Sequence, residues 1–107
     1  MELDKIVNKN LKMGRANQEV FAETLENLAA ADPSIIAVTS DSRGSGKLVP
    51  FGQKYPNQIV EVGIAEQNLV GVAAGLASAG KKPFAVSPAC FLTARALEQI
   101  KNDVAYS

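Results

Sequence analysis

Glu66 stands in the stretch VGIAEQNLVGVAAG, an acid and two amides inside a run of apolar and small residues. A carboxylate there has three uses. It can sit in the first turn of a helix, where the macrodipole favours negative charge by roughly 0.3–1 kcal/mol. It can be solvated at the end of a strand, or it can be held for a ligand. Composition narrows the other chemistry. The chain has no histidine and a single cysteine, Cys90. Alone it cannot form a Ser-His-Asp triad, a histidine zinc site, a thiolate cluster or an internal disulfide. Carboxylates, hydroxyls, lysine, arginine or a bound cofactor must carry whatever chemistry there is. The segment from Gly44 to Lys47, GSGK, invites a phosphate-loop reading, but Asp41 stands where that motif needs glycine and Leu48 where it needs Ser or Thr. It reads as a glycine-rich turn.

The elements that must position Glu66 follow from hydrophobic periodicity. Phe21, Leu25 and Leu28 make an i, i+4, i+7 stripe on a helix over 17–31, ended by Asp32-Pro33. Residues 35–39, IIAVT, read as a buried parallel strand. SDSRGSGK is a loop, and PFGQKYPN continues irregularly or as a short helix. A second strand covers 59–63, a helix of small residues covers 65–79 with Gly80 as its stop, and KPFAVS is a third strand. A last helix spans 91–105, with Leu97, Ile100 and Val104 on one face. Residues 1–13 show no firm period and read as a lead-in. Helices alternating with strands predict a parallel sheet covered on both faces. Three strands leave two edges, so the fold reads as unfinished, completed by more chain or by a partner subunit.

The 107 residues suit one small domain or part of a larger one, and 47% hydrophobic residues are enough for a core. Eleven basic and eleven acidic side chains balance, which argues against nucleic acid or an anionic membrane as partner. The longest apolar run, broken by Glu66, Gln67 and Asn68, is too short to span a bilayer. The polar start, MELDKIVNKNLK, shows no signal peptide. A cytoplasmic location is the default reading.

VGIAEQN together with the downstream FLTARALEQI resembles the pyrimidine-binding domain of transketolase-like thiamine diphosphate enzymes. The likeness is strongest to the separately encoded C-terminal section of split transketolases. DPSIIAVTSDSRGSGKL and FGQKYPNQIVEVGIAEQN add to it, and it covers roughly residues 15–107. It implies a three-layer α/β fold, a parallel sheet with helices on both faces, of which 14–107 are the front part of one domain. It implies a transferase that moves a two-carbon ketol unit between sugar phosphates in the pentose phosphate pathway. 1-Deoxyxylulose-5-phosphate synthase and the β subunits of 2-oxoacid dehydrogenases share the fold and the glutamate. A non-catalytic remnant acting only by association is a further alternative.

The resemblance also implies roles. Glu66 hydrogen-bonds the cofactor's aminopyrimidine, favouring the tautomer that takes the proton from C2 of the thiazolium. Burial disfavours a charged carboxyl, which suits a group that must share its proton near neutral pH. Phe91 stacks on the pyrimidine, a contact worth about 0.5–1.5 kcal/mol beyond burial; from the residues alone it is a core phenylalanine opening a helix. Asp41 lies near the cofactor and Ser45 contacts substrate phosphate. Gly46 stands where the family often has threonine, which should loosen that loop. Arg95 and Gln99 match recurrent positions of the last helix, Arg95 as a structural or subunit-contact residue. The diphosphate and magnesium site, a Gly-Asp-Gly segment followed by asparagine, does not occur here. The resemblance therefore implies an N-terminal transketolase subunit as partner, magnesium bound there rather than by this chain, a homo-oligomer, and a lone chain without activity.

Overall fold

The computed structural model describes residues 11–106, so the lead-in expected over 1–13 lies outside the described residues except for its last three. Residues 11–16 form neither helix nor strand. Then come α1 (Asn17–Ala31), β1 (Ile35–Thr39), α2 (Val49–Lys54), a single tight turn of helix at Pro56–Gln58 and β2 (Ile59–Glu61). They are followed by α3 (Glu66–Ser78), β3 (Lys82–Val86), α4 (Ala89–Arg95), α5 (Leu97–Gln99) and a widened helical turn at Ile100–Ala105.

The three strands form one parallel sheet in the order β2-β1-β3. Side chains of successive strand residues point to opposite faces. On β1 this sends Ile35 and Ala37 to one side, with Ala22, Leu25 and Ala29 of α1, Leu48, and Phe51 of α2. Ile36 and Val38 go to the other side, with Leu69 and Val70 of α3 and with Ala96. Helices therefore cover both faces, as the alternating pattern predicts.

Two helical faces differ from the expected stripes. In α1 the buried face is Ala22, Leu25 and Ala29, while Phe21 and Leu28 are exposed. The alanines bring the helix close to the sheet, and Phe21 leans on Phe84 at its margin, ring centroids 6.5 Å apart. The last helix starts two residues early and breaks at Ala96, whose φ of −103° and ψ of 17° leave the helical region. Ala96 is fully buried against Ile36, Val38, Leu69 and Val70. Leu92, Ala96 and Ile100 are the residues turned inward, and Leu97 and Val104 stay outside.

At the amino end of the sheet, Gln58 Nε2 donates to the carbonyls of Ala29, Asp32 and Ile35 at 3.1–3.3 Å. One amide thus ties the end of α1, where the Ala29 carbonyl lacks a helical partner, to the start of β1. At the carboxyl end the chain departs differently. The loop after β1 leads to Leu48 and Phe51 on the α1 face. The loop after β3 leads to Leu92 and Ala96 on the other. Adjacent parallel strands whose connections leave to opposite faces open a crevice between them, the usual ligand position in open α/β sheets.

Candidate functional site

A cleft of about 330 Å³ opens at this crevice, and its lining includes Asp41 and Ser45 from the β1 loop, Glu66 from α3, and Phe91 and Arg95 from α4. Asp41, Ser45, Glu66 and Phe91, the four residues to which the sequence assigns a site role, thus line one cavity.

The β1 loop is fastened from two sides. Ser42 Oγ donates to the Val86 carbonyl at 2.7 Å and accepts from the Ser40 amide at 3.1 Å. The Ser40 and Ser87 hydroxyls meet at 2.9 Å. The expected looseness at Gly46 is not found. Its amide donates to the Ser42 carbonyl at 2.9 Å. A methyl group on Gly46 would come within 3.0 Å of that oxygen and 3.1 Å of Val86 Cγ1. Glycine lets the loop close onto β3 here, and Ser45 Oγ donates to the Ser42 carbonyl at 3.3 Å.

The second fastening is Glu61, which sequence reasoning missed. Its Oε2 accepts the amides of Asp41 at 2.6 Å and Gly63 at 2.8 Å, and its Oε1 accepts from Thr39 Oγ1 at 3.0 Å. Asp41 and Gly63 both have positive φ, 57° and 76°. That conformation costs glycine nothing, and aspartate tolerates it better than most residues do. Arg43 Nε lies 3.8 Å from Oε1. Burial pushes the Glu61 carboxyl up, but the two amides, the Thr39 hydroxyl and Arg43 outweigh it and hold it below its ordinary value.

Glu66 opens α3 with its side chain only 4% exposed. Arg95 Nη1 donates to Glu66 Oε1 at 2.7 Å, and the Arg95 guanidinium carbon lies 4.1 Å from the centroid of the Phe91 ring. Phe91 is not a core residue; it is 40% exposed. Arg95 is one helical turn beyond Phe91, so the two share a face of α4. That spacing is the available signal for Arg95, which sits in the cleft rather than apart from it. Gln67 Nε2 donates to the Arg95 carbonyl at 3.2 Å, tying the end of α4 to the start of α3.

Fold and cleft together define an α/β domain with an open cleft at the carboxyl ends of its strands, between a buried carboxylate and an exposed aromatic face. The chain belongs to the transketolase pyrimidine-binding domain family, whose model, "Transketolase, pyrimidine binding domain", matches residues 14–107. Enzymes of this family use thiamine diphosphate. The chain is 54% identical over 92 residues to a subunit of the apulose-4-phosphate transketolase of Phocaeicola vulgatus, covering 86% of this chain and 30% of that protein. It is 49% identical over 86 residues to 1-deoxy-D-xylulose-5-phosphate synthase of Brevibacillus brevis, covering 80% and 14%. A solved split-gene transketolase, described as an inactive β4 tetramer, superposes with a TM-score of 0.77 at 41% identity, covering 87% of this chain and 31% of that one. The chain thus spans about a third or less of the relatives it matches.

Proposed function

We propose that this chain supplies the aminopyrimidine side of a thiamine diphosphate site in a transketolase, a cytoplasmic transferase assembled with a second subunit that holds the diphosphate and magnesium. The observation that carries this reading is the convergence of Asp41, Ser45, Glu66 and Phe91 on one cleft. The residues suit the group. Phe91 offers a flat ring, Glu66 a buried acceptor, and a planar cation with N–H donors, the Arg95 guanidinium, already rests on both. When bound, the cofactor would supply the carbanion chemistry at C2 of its thiazolium. Glu66 would hold and return a proton at the pyrimidine nitrogen it faces. Phe91 would fix the plane of the ring, Asp41 would border it, and Ser45 would offer a hydroxyl to substrate at the mouth of the cleft.

A relative that is itself a subunit of a transketolase supports ketol transfer between sugar phosphates as the reaction. The similarity to 1-deoxy-D-xylulose-5-phosphate synthase favours a second reading, condensation that begins from a 2-oxoacid. The test is to combine the chain with a subunit carrying the Gly-Asp-Gly-to-Asn segment and supply both donor types. Turnover of ketose phosphates supports the first reading. Decarboxylation of a 2-oxoacid supports the second, and no turnover with either counts against both.

A further inference from the structure

We infer that Arg95 occupies the pyrimidine seat of its own chain and must swing aside before the cofactor ring can bind. This rests on the proposed roles of Glu66 and Phe91. The two contacts assigned to the pyrimidine are a hydrogen bond to the Glu66 carboxylate and a stack on Phe91. Arg95 makes both, at 2.7 Å and 4.1 Å. A guanidinium and an aminopyrimidine share the features this seat selects: planarity, N–H donors at the edge and affinity for an aromatic face. Two such groups cannot stack on the same Phe91 face and bond the same carboxylate oxygen together.

Arg95 is also placed to leave. Its side chain is 57% exposed, whereas that of Glu66 is 4% exposed. Its backbone stays fixed through Gln67 Nε2 and its own carbonyl at 3.2 Å, so side-chain rotation alone vacates the seat. Until then the guanidinium keeps Glu66 from being a buried, unpartnered charge. Arg95 is therefore a placeholder that steadies the domain and weakens its first contact with the cofactor.

Titration of the full chain with the free aminopyrimidine half of thiamine, followed by NMR, tests this. Arg95→Met should bind about tenfold more tightly than the natural chain, the size of one stacked, partly exposed ion pair removed as competitor. In the natural chain, saturation should move the Arg95 guanidinium resonances to those of a free, solvated arginine. Equal or weaker binding by Arg95→Met overturns the inference. If binding is still lost in Phe91→Ala, the seat itself stands. No binding by Arg95→Met, at concentrations that would detect millimolar affinity, overturns the inference and leaves the proposed function to turnover by the assembled enzyme. Should Arg95→Met fail to fold, the Arg95 resonances of the natural chain decide: binding that leaves them unmoved overturns the inference.

Discussion

The amide of Asp41 points at the carboxylate of Glu61, 2.6 Å away, and this contact joins the loop after β1 to the strand that leads into the Glu66 helix. Because hydrogen bonds outweigh burial there, the folded state binds a proton on Glu61 less readily than the unfolded chain does. Its stabilisation is complete above the ordinary value of 4.5 and is lost as pH falls through the lower folded-state value. Asp32, held well below the usual carboxylate range by Lys82 and Ser34, loses its contribution in acid in the same sense. Glu61→Gln should cost about 1–2 kcal/mol at neutral pH, discounted for the third of the side chain that is exposed. The variant should lose less melting temperature between neutral and acid pH than the natural chain. Parallel losses in the two would show that the Glu61 bonds contribute nothing.

Glu66→Gln keeps the shape of the side chain but not its ability to take and return a proton. In an assembled enzyme, activity should fall about 10²–10⁴-fold, the usual share of a general acid–base group. On the proposed role of Glu66 the loss should fall on proton removal at C2 of the thiazolium, so deuterium exchange at that carbon is the readout. Exchange at the natural rate would reduce Glu66 to a residue that complements the dipole of α3.

Phe51 is 1% exposed and fills the space between α1 and β1, with its ring centroid 5.5 Å from that of Tyr55. Phe51→Ala should cost about 3–5 kcal/mol, a large share of the roughly 5–15 kcal/mol that holds a domain together. A denaturant midpoint unchanged from the natural chain would contradict the packing described for the α1 face.

On the proposed reading, the lone chain offers the cofactor one stack and one hydrogen bond, against an association cost of about 4–15 kcal/mol. Its dissociation constant for thiamine diphosphate with magnesium should be millimolar or weaker, about −4 kcal/mol at most. Calorimetry showing micromolar binding would reveal a diphosphate site in this chain, with the loop from Asp41 to Lys47 the first place to search.

Both β2 and β3 are edge strands in the described sheet, and Ile64, Leu97 and Val104 expose apolar surface beside α3 and the last helix. Exposed edges next to apolar patches favour association. The chain should sediment as a dimer or larger species. A clean monomer at high concentration is the contrary result.

The elements are legible in the sequence because each carries a period. IIAVT is almost uniformly apolar and becomes the central, fully buried strand. The small residues of α3 follow a strand and end at Gly80, whose φ of 89° explains the stop. What is not legible depends on distance across the fold. A stripe through the largest residues of α1 misses its buried face, because close approach to the sheet selects the alanines. Ala96 breaks the last helix because of what it packs against, which no local pattern announces. Glu66, Phe91, Asp41 and Ser45 stand out together only by likeness to a family. Glu61 does not, since a glutamate ending a strand looks solvated until the loops that fold over it are known. Arg95 matches the family too, but its place in the cleft is hidden because its partner Glu66 lies 29 residues earlier in the chain.

Finally, β1 is paired on both sides and buried along its whole length, whereas the cleft is bordered by loops fastened through single side chains. Backbone amides of β1 can reach solvent only when the sheet itself opens. Those around Asp41 and Gly63 need only the release of one carboxylate. Local openings of such different cost are separate cooperative units. Amide exchange should therefore be slowest along β1 and faster at Asp41 and Gly63, so that the cleft end of the sheet can open without the core opening with it.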